Sequence, residues 1–172
     1  MRQMRVAQIG VAVGAGAALA PLVLLCEVSG ERYLPIWIGA PEADAIARAG
    51  SGSRPRRPMT HELIGEVCAA LGAHLDRVVI TDLRDGVYYA ELVFGADVRV
   101  SARPSDAIAL ALGADASIHI EDRVLDQAGV PAIALEGRTG ERADPEAEVE
   151  RFRDFLERAR PEDFGPSGDR GN

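Results

Sequence analysis

The sequence predicts an α+β domain: two copies of a three-strand-plus-helix unit forming one compact domain, followed by a C-terminal helix. Three observations carry this. The segment Pro41-Glu42-Ala43-Asp44-Ala45-Ile46-Ala47 is half repeated as Pro104-Ser105-Asp106-Ala107-Ile108-Ala109, each copy following an apolar strand and closing on a glycine, Gly50 and Gly113. A possible hairpin precedes each copy. Finally, 172 residues of which 47% are hydrophobic can bury one core, with no room for a second folded domain.

Residues 5–13, 21–28 and 32–38 read as the first three strands. The uncharged run from Val6 to Cys26, with Arg2 and Arg5 before it, also resembles a signal peptide or a membrane span. Gly14, Gly16 and Pro21 interrupt that run, so a hairpin is preferred. A helix follows over 41–49, with Asp44 expected in its first turn, at a place equivalent to Asp106. Residues 51–58 form a loop rich in Gly, Ser and Pro. Thr60 caps a helix over 61–71 whose apolar stripe is Leu63, Ile64, Val67, Cys68 and Leu71, and Gly72 ends it.

The second unit places strands over 74–81, 87–94 and 97–102, with turns at Asp85-Gly86 and Gly95-Ala96. The helix after Pro104 follows, with Ser105 as its cap. Residues 117–120 read as a short edge strand and 122–128 as a short helix stopped by Gly129. These elements make up a domain over 1–137. Over 138–172 a polar linker leads to a helix from Asp144 to about Ala159, striped with Val149, Phe152, Phe155 and Leu156, and then to a tail expected to be mobile.

The net charge of −8 is a poor footprint for tight nucleic-acid binding, which needs clustered cations. The chain has no lysine, which excludes Schiff-base chemistry and a catalytic lysine. Cys26 and Cys68 are too few and too far apart for a zinc site or a disulfide framework, and two apolar thiols fit a reducing cytoplasm. Neither a phosphate-binding loop ending in lysine nor a dinucleotide glycine pattern nor a nucleophile elbow occurs.

What remains is a set of polar residues at strand ends, corners and helix starts, where side chains can take part in chemistry. Arg103 stands at a strand-to-helix corner, where a guanidinium can pair with an acid or hold a phosphate. Ser105 and Asp106 can equally be plain cap and dipole residues. His61 falls at a helix start, where the dipole favours the neutral imidazole of a general base, or where it is simply an exposed first-turn histidine with no role. Asp82 can bind a metal or water, or brace the turn that follows. Glu91 can share a site with Asp82 or pair with Arg103. Arg54, Arg56 and Arg57 form the one cationic loop cluster, and Arg84 follows Asp82 closely; these are the candidate substrate contacts. Trp37 reads as a core or interface anchor rather than a base-stacking platform.

The run Ala102 to Ala111 resembles the signature of the bifunctional nuclease family. So do Leu34-Pro35-Ile36-Trp37-Ile38-Gly39, Arg57-Pro58-Met59-Thr60-His61-Glu62-Leu63, and Val78-Val79-Ile80-Thr81-Asp82-Leu83 followed by Tyr88-Tyr89-Ala90-Glu91-Leu92. The matches run in order from about Val6 to Val130. The resemblance implies a small α+β domain, a homodimer, and hydrolysis of DNA and RNA with low sequence preference, assisted by Mg²⁺ or Mn²⁺. With that chemistry His61, Asp82, Arg103 and Asp106 are the expected catalytic set, and Asp82 and Asp106 the expected metal ligands. One departure is plain: the family pattern has an acid just before Ala102-Arg103-Pro104-Ser105-Asp106, and this chain has Ser101. The alternative class is a non-catalytic binding or regulatory module that forms oligomers.

Overall fold

The computed structural model describes residues 1–13, 19–52, 55–95 and 98–131. The linker, C-terminal helix and tail expected over 138–172, Arg54, and the strand start at Asp97 lie outside them. Strands β1 (Arg2–Val13), β2 (Leu19–Glu27) and β3 (Arg32–Trp37) precede helices α1 (Ala40–Ser51) and α2 (Thr60–Ala70). Then come β4 (Leu75–Arg84), β5 (Val87–Phe94), β6 (Val98–Ala102) and α3 (Pro104–Ala114). The last elements are β7 (Ser117–Ile120), α4 (Asp122–Ala128) and β8 (Val130–Pro131).

All eight strands form one sheet in the order β6-β5-β4-β7-β1-β2-β3-β8. The two antiparallel triplets, β1-β2-β3 and β4-β5-β6, flank β7, and each leads towards a helix from its third strand. This is the expected duplicated α+β arrangement. One expectation is overturned, because Ser117–Ile120 is not an edge. It pairs antiparallel with β1 and parallel with β4, so four residues bind the two halves into a single sheet. Ile118 and Ile120 supply buried side chains, while Ser117 and His119 alternate to the other face.

α3 is the centre of the core. Pro104, Ser105, Ala107, Ile108, Ala109, Leu110 and Ala111 are all buried, a helix apolar nearly all round and therefore enclosed nearly all round. Ala45 and Ile46 of α1, Val124 and Leu125 of α4, and the inward strand residues Leu25, Leu34, Val78 and Ile80 pack with it in one cluster. α1 runs beside α3 in the same direction. Glu42 meets Arg103 at their N-terminal ends, and Gly50 faces Leu112 Cδ1 at their C-terminal ends.

Cap positions differ from the sequence reading by a residue or two. Arg103, not Ser105, holds the extended cap position of α3, with Pro104 just inside, because proline suits the first helical residue. Asp115 rather than Gly113 takes the left-handed exit, at φ 54°. Thr60 is already helical, and the Met59 N–H is satisfied by the Glu62 carboxylate at 2.8 Å. Asp44 is the fifth residue of α1, past its first turn, and pairs with Arg48; the first-turn acid is Glu42. The Asp85-Gly86 turn is as expected, with φ of 50° and 79°.

The apolar stripe of α2 does not face the core. No residue of α2 is fully buried, and Leu63, Ile64, Val67 and Leu71 are exposed. Trp37 is likewise not a core anchor, being 48% exposed at the end of β3. No described helix is long and apolar enough to cross a membrane.

Candidate functional site

The strand-to-helix corner after β6 places Arg103 where the N-terminal ends of α1 and α3 adjoin. Both helix ends concentrate positive partial charge, and each carries an acid as its third residue, Glu42 and Asp106. Arg103 joins the two acids. Its Nε and Nη2 donate to Asp106 Oδ2 and Oδ1 at 2.7 and 2.9 Å, and its Nη1 donates to Glu42 Oε1 at 3.0 Å. Gly39 makes room for this arrangement: a Cβ there would meet Glu42 Oε2 at 2.3 Å.

His61, in the first turn of α2, completes the cluster with Nε2 at 3.0 Å from Asp106 Oδ1. Asp106 is partly buried, and that burial is the largest single influence on it and opposes ionisation. Hydrogen bonds from Arg103 and His61, with their charges, outweigh it and hold the carboxyl below the usual carboxylate range. The arrangement can do two things chemically. It orients an imidazole against a carboxylate, and it presents an arginine whose side chain is 66% exposed.

Asp82 and Arg84 belong elsewhere. Asp82 Oδ2 accepts from Arg84 Nε at 2.6 Å, and Oδ1 accepts from the Leu83 N–H at 3.0 Å, so it braces its own strand end. The Arg84 hydrogen bond is the main reason its carboxyl sits below the ordinary range. Arg84 lies over the Tyr89 ring at 5.1 Å, and Arg123 reaches Asp82 at 3.8 Å. Among the described residues no hydrogen bond or ion pair joins this set to Arg103, Asp106 and His61. Glu91 pairs with Arg99 rather than with Asp82 or Arg103. Arg56 and Arg57 are exposed in the loop that enters α2, and Arg54 lies outside the described residues.

The expected divalent ion does not fit the described carboxylates as arranged. Among the described residues no three His, Cys, Asp or Glu side chains converge on one point. Both oxygens of Asp106 and both of Asp82 already face nitrogen donors, so a cation would have to displace an arginine from either. Ser101 stands opposite Glu91 on β6, and Arg103 draws its acids from Glu42 and Asp106 instead.

Glu42 is the site residue that sequence reasoning missed. Its signal was present, since an acid follows each of the two repeated prolines. Aligning the repeat on Asp-Ala-Ile-Ala matched Asp106 with Asp44 and hid the correspondence.

The chain is 47% identical over 144 residues to uncharacterized proteins from two strains of Mycobacterium tuberculosis, an alignment covering 84% of this chain and 88% of each relative. The bifunctional nuclease domain matches residues 23–132, which include α1, α2, α3 and all four members of the Arg103 cluster. The chain therefore belongs to the bifunctional nuclease domain family.

Proposed function

We propose that the Arg103 cluster hydrolyses phosphodiester bonds of DNA and RNA with little sequence preference. The observation that carries the reading is the pairing of His61 with Asp106 beside an exposed Arg103, within a bifunctional nuclease domain. Arginine has five N–H donors, and three are engaged with Glu42 and Asp106, which leaves two for the non-bridging oxygens of a phosphate. Asp106 holds the imidazole by Nε2, and the other ring nitrogen is left to take a proton from the attacking water. The hydroxide so formed adds to phosphorus as the bond from phosphorus to the ester oxygen breaks, and the departing oxygen takes back the proton from the imidazolium. Contacts to phosphate carry no base information, which accounts for low preference. Arg56 and Arg57, exposed just before α2, are the proposed contacts to flanking phosphates.

No step is routed through a metal ion, because the carboxylates as arranged hold arginine. The second reading, a non-catalytic binding or regulatory module, is favoured by one specific observation: two carboxylates already neutralise Arg103. A nuclease assay on highly purified protein separates the two. Activity on DNA and RNA that disappears in Arg103→Ala at unchanged melting temperature supports the enzyme. Equal activity in both proteins marks a contaminant and the binding module. Activity abolished by EDTA would require Mg²⁺ or Mn²⁺ to enter among the acids and would refute the metal-free proton transfer.

A further inference from the structure

We propose that the sheet face opposite the helices binds the backbone of single-stranded nucleic acid, through a row of arginines distinct from the Arg103 cluster. The inference rests on the reading that this chain handles nucleic acid, and adds where the strand lies. Strand register fixes the row. Arg99 on β6 is opposite Val93 on β5, and Val93 is opposite Arg77 on β4. Arg77 is opposite Ser117 on β7, and Arg5, one step beyond the Met4–Ile118 pair, stands next to Ser117 on β1. Three arginines thus stand on one line across the sheet, their backbone positions two strand spacings or roughly 10 Å apart, with the fully buried Val93 between the first two.

The charge on this face runs against that of the chain. Among the described residues, and with Arg84 above Tyr89, the strand side chains that register turns to it carry four arginines against two acids, Asp82 and Glu91, on a chain of net charge −8. Those two acids are paired with Arg84 and Arg99. Arg5 and Arg77 have no acidic partner among the described residues. The Nε of Arg77 is shut off from solvent and has no hydrogen-bond partner among the described residues, a costly state for a donor. His119, beside Arg77, is held below its ordinary range first by burial and then by that guanidinium, so it adds a neutral polar group rather than a further charge.

The occupant follows from chemistry. A row of arginines suits phosphates, and the same face offers Tyr33, Tyr89 and the exposed Trp37 as surfaces on which unpaired bases stack. Cations with aromatic rings at the margins of the same face suit a single strand, whose bases are free to stack, better than a duplex.

Fluorescence anisotropy of the full chain with labelled oligo-dT and oligo-rU tests this, with Arg5→Gln, Arg5→Gln/Arg77→Gln and Arg103→Ala compared with wild type. Arg5 is exposed, so its single variant reports even if Arg77→Gln perturbs folding. The double variant is expected to bind about tenfold more weakly, and its salt slope to fall by about 1.4 for two lost phosphate contacts. Arg103→Ala removes only the one phosphate contact proposed for the cluster, so its loss of affinity should be smaller than that of the double variant. Sheet-face variants that bind normally, with binding lost in Arg103→Ala, would overturn this proposal while leaving the nuclease reading intact. Wild type that binds neither oligonucleotide would overturn it as well. So would variants that turn a wild-type dimer into monomers, because the face would then be an interface between copies.

Discussion

His61 Nε2 stands 3.0 Å from Asp106 Oδ1 across 45 residues of sequence, and that contact joins α2 to the N-terminal end of α3. It makes one carboxylate the partner of both an imidazole and the Arg103 guanidinium. The chemistry of the site and its response to acid both follow from this sharing.

Asp106 titrates below its unfolded value because Arg103 and His61 outweigh the opposing influence of burial. In the acid range the native state therefore holds fewer protons than the unfolded chain. The stabilisation is complete above the unfolded aspartate value of about 3.9 and is lost as pH falls through the lower folded value. Thermal melts should show Asp106→Asn less stable than wild type by a full margin near neutral pH, with the margin closing as pH falls through the lowered folded value of Asp106. A margin that stays constant into strong acid would show that the ion pair contributes nothing.

Glu27 is the buried acid of the fold, 7% exposed, and takes three hydrogen bonds from Arg32, which also reaches Asp126 of α4. The Arg32 hydrogen bond is the main influence holding Glu27 ionised. Glu27→Gln should cost roughly 2–3 kcal/mol in urea unfolding, somewhat under the figure for a fully buried pair because Arg32 keeps contact with water. Gly30→Ala should also destabilise, since its Cβ would lie 2.4 Å from Glu27 Oε2. Two variants as stable as wild type would remove this pair from the account of the fold.

Leu63, Ile64, Val67 and Leu71 make an exposed stripe along α2, and a second copy is the occupant expected for it. Val67→Glu should leave the melting temperature nearly unchanged and turn a dimer into a monomer in sedimentation experiments. Wild type that sediments only as a monomer at micromolar concentration would contradict the expected homodimer.

The repeated Asp-Ala-Ile-Ala segments make the two helices and the duplicated sheet legible, because each supplies a fully buried isoleucine, Ile46 and Ile108, although these are the seventh and fifth residues of their helices. Strand β7 was misread since Ser-Ile-His-Ile alternates as a half-solvated strand does, whether it lies at an edge or at the centre. The α2 stripe shows a second limit: periodicity reports an apolar face and not what covers it. In the site, Arg103, Asp106 and His61 were legible from motif residues that the fold brings together. Asp82 enters the expected set through the family motif, and the structure turns its carboxylate towards Arg84 and Tyr89.

The most direct test of the central claim is the single-turnover cleavage rate of a single-stranded RNA by wild type, His61→Ala and Glu42→Gln, each checked for unchanged melting temperature. The account predicts that His61→Ala loses on the order of 10²–10⁴ in rate, as expected for removal of a general base. Glu42→Gln should retain most of the rate, because Asp106 still holds Arg103 through two hydrogen bonds. A folded His61→Ala protein that cleaves at the wild-type rate would contradict the assignment of the Arg103 cluster as the catalytic site.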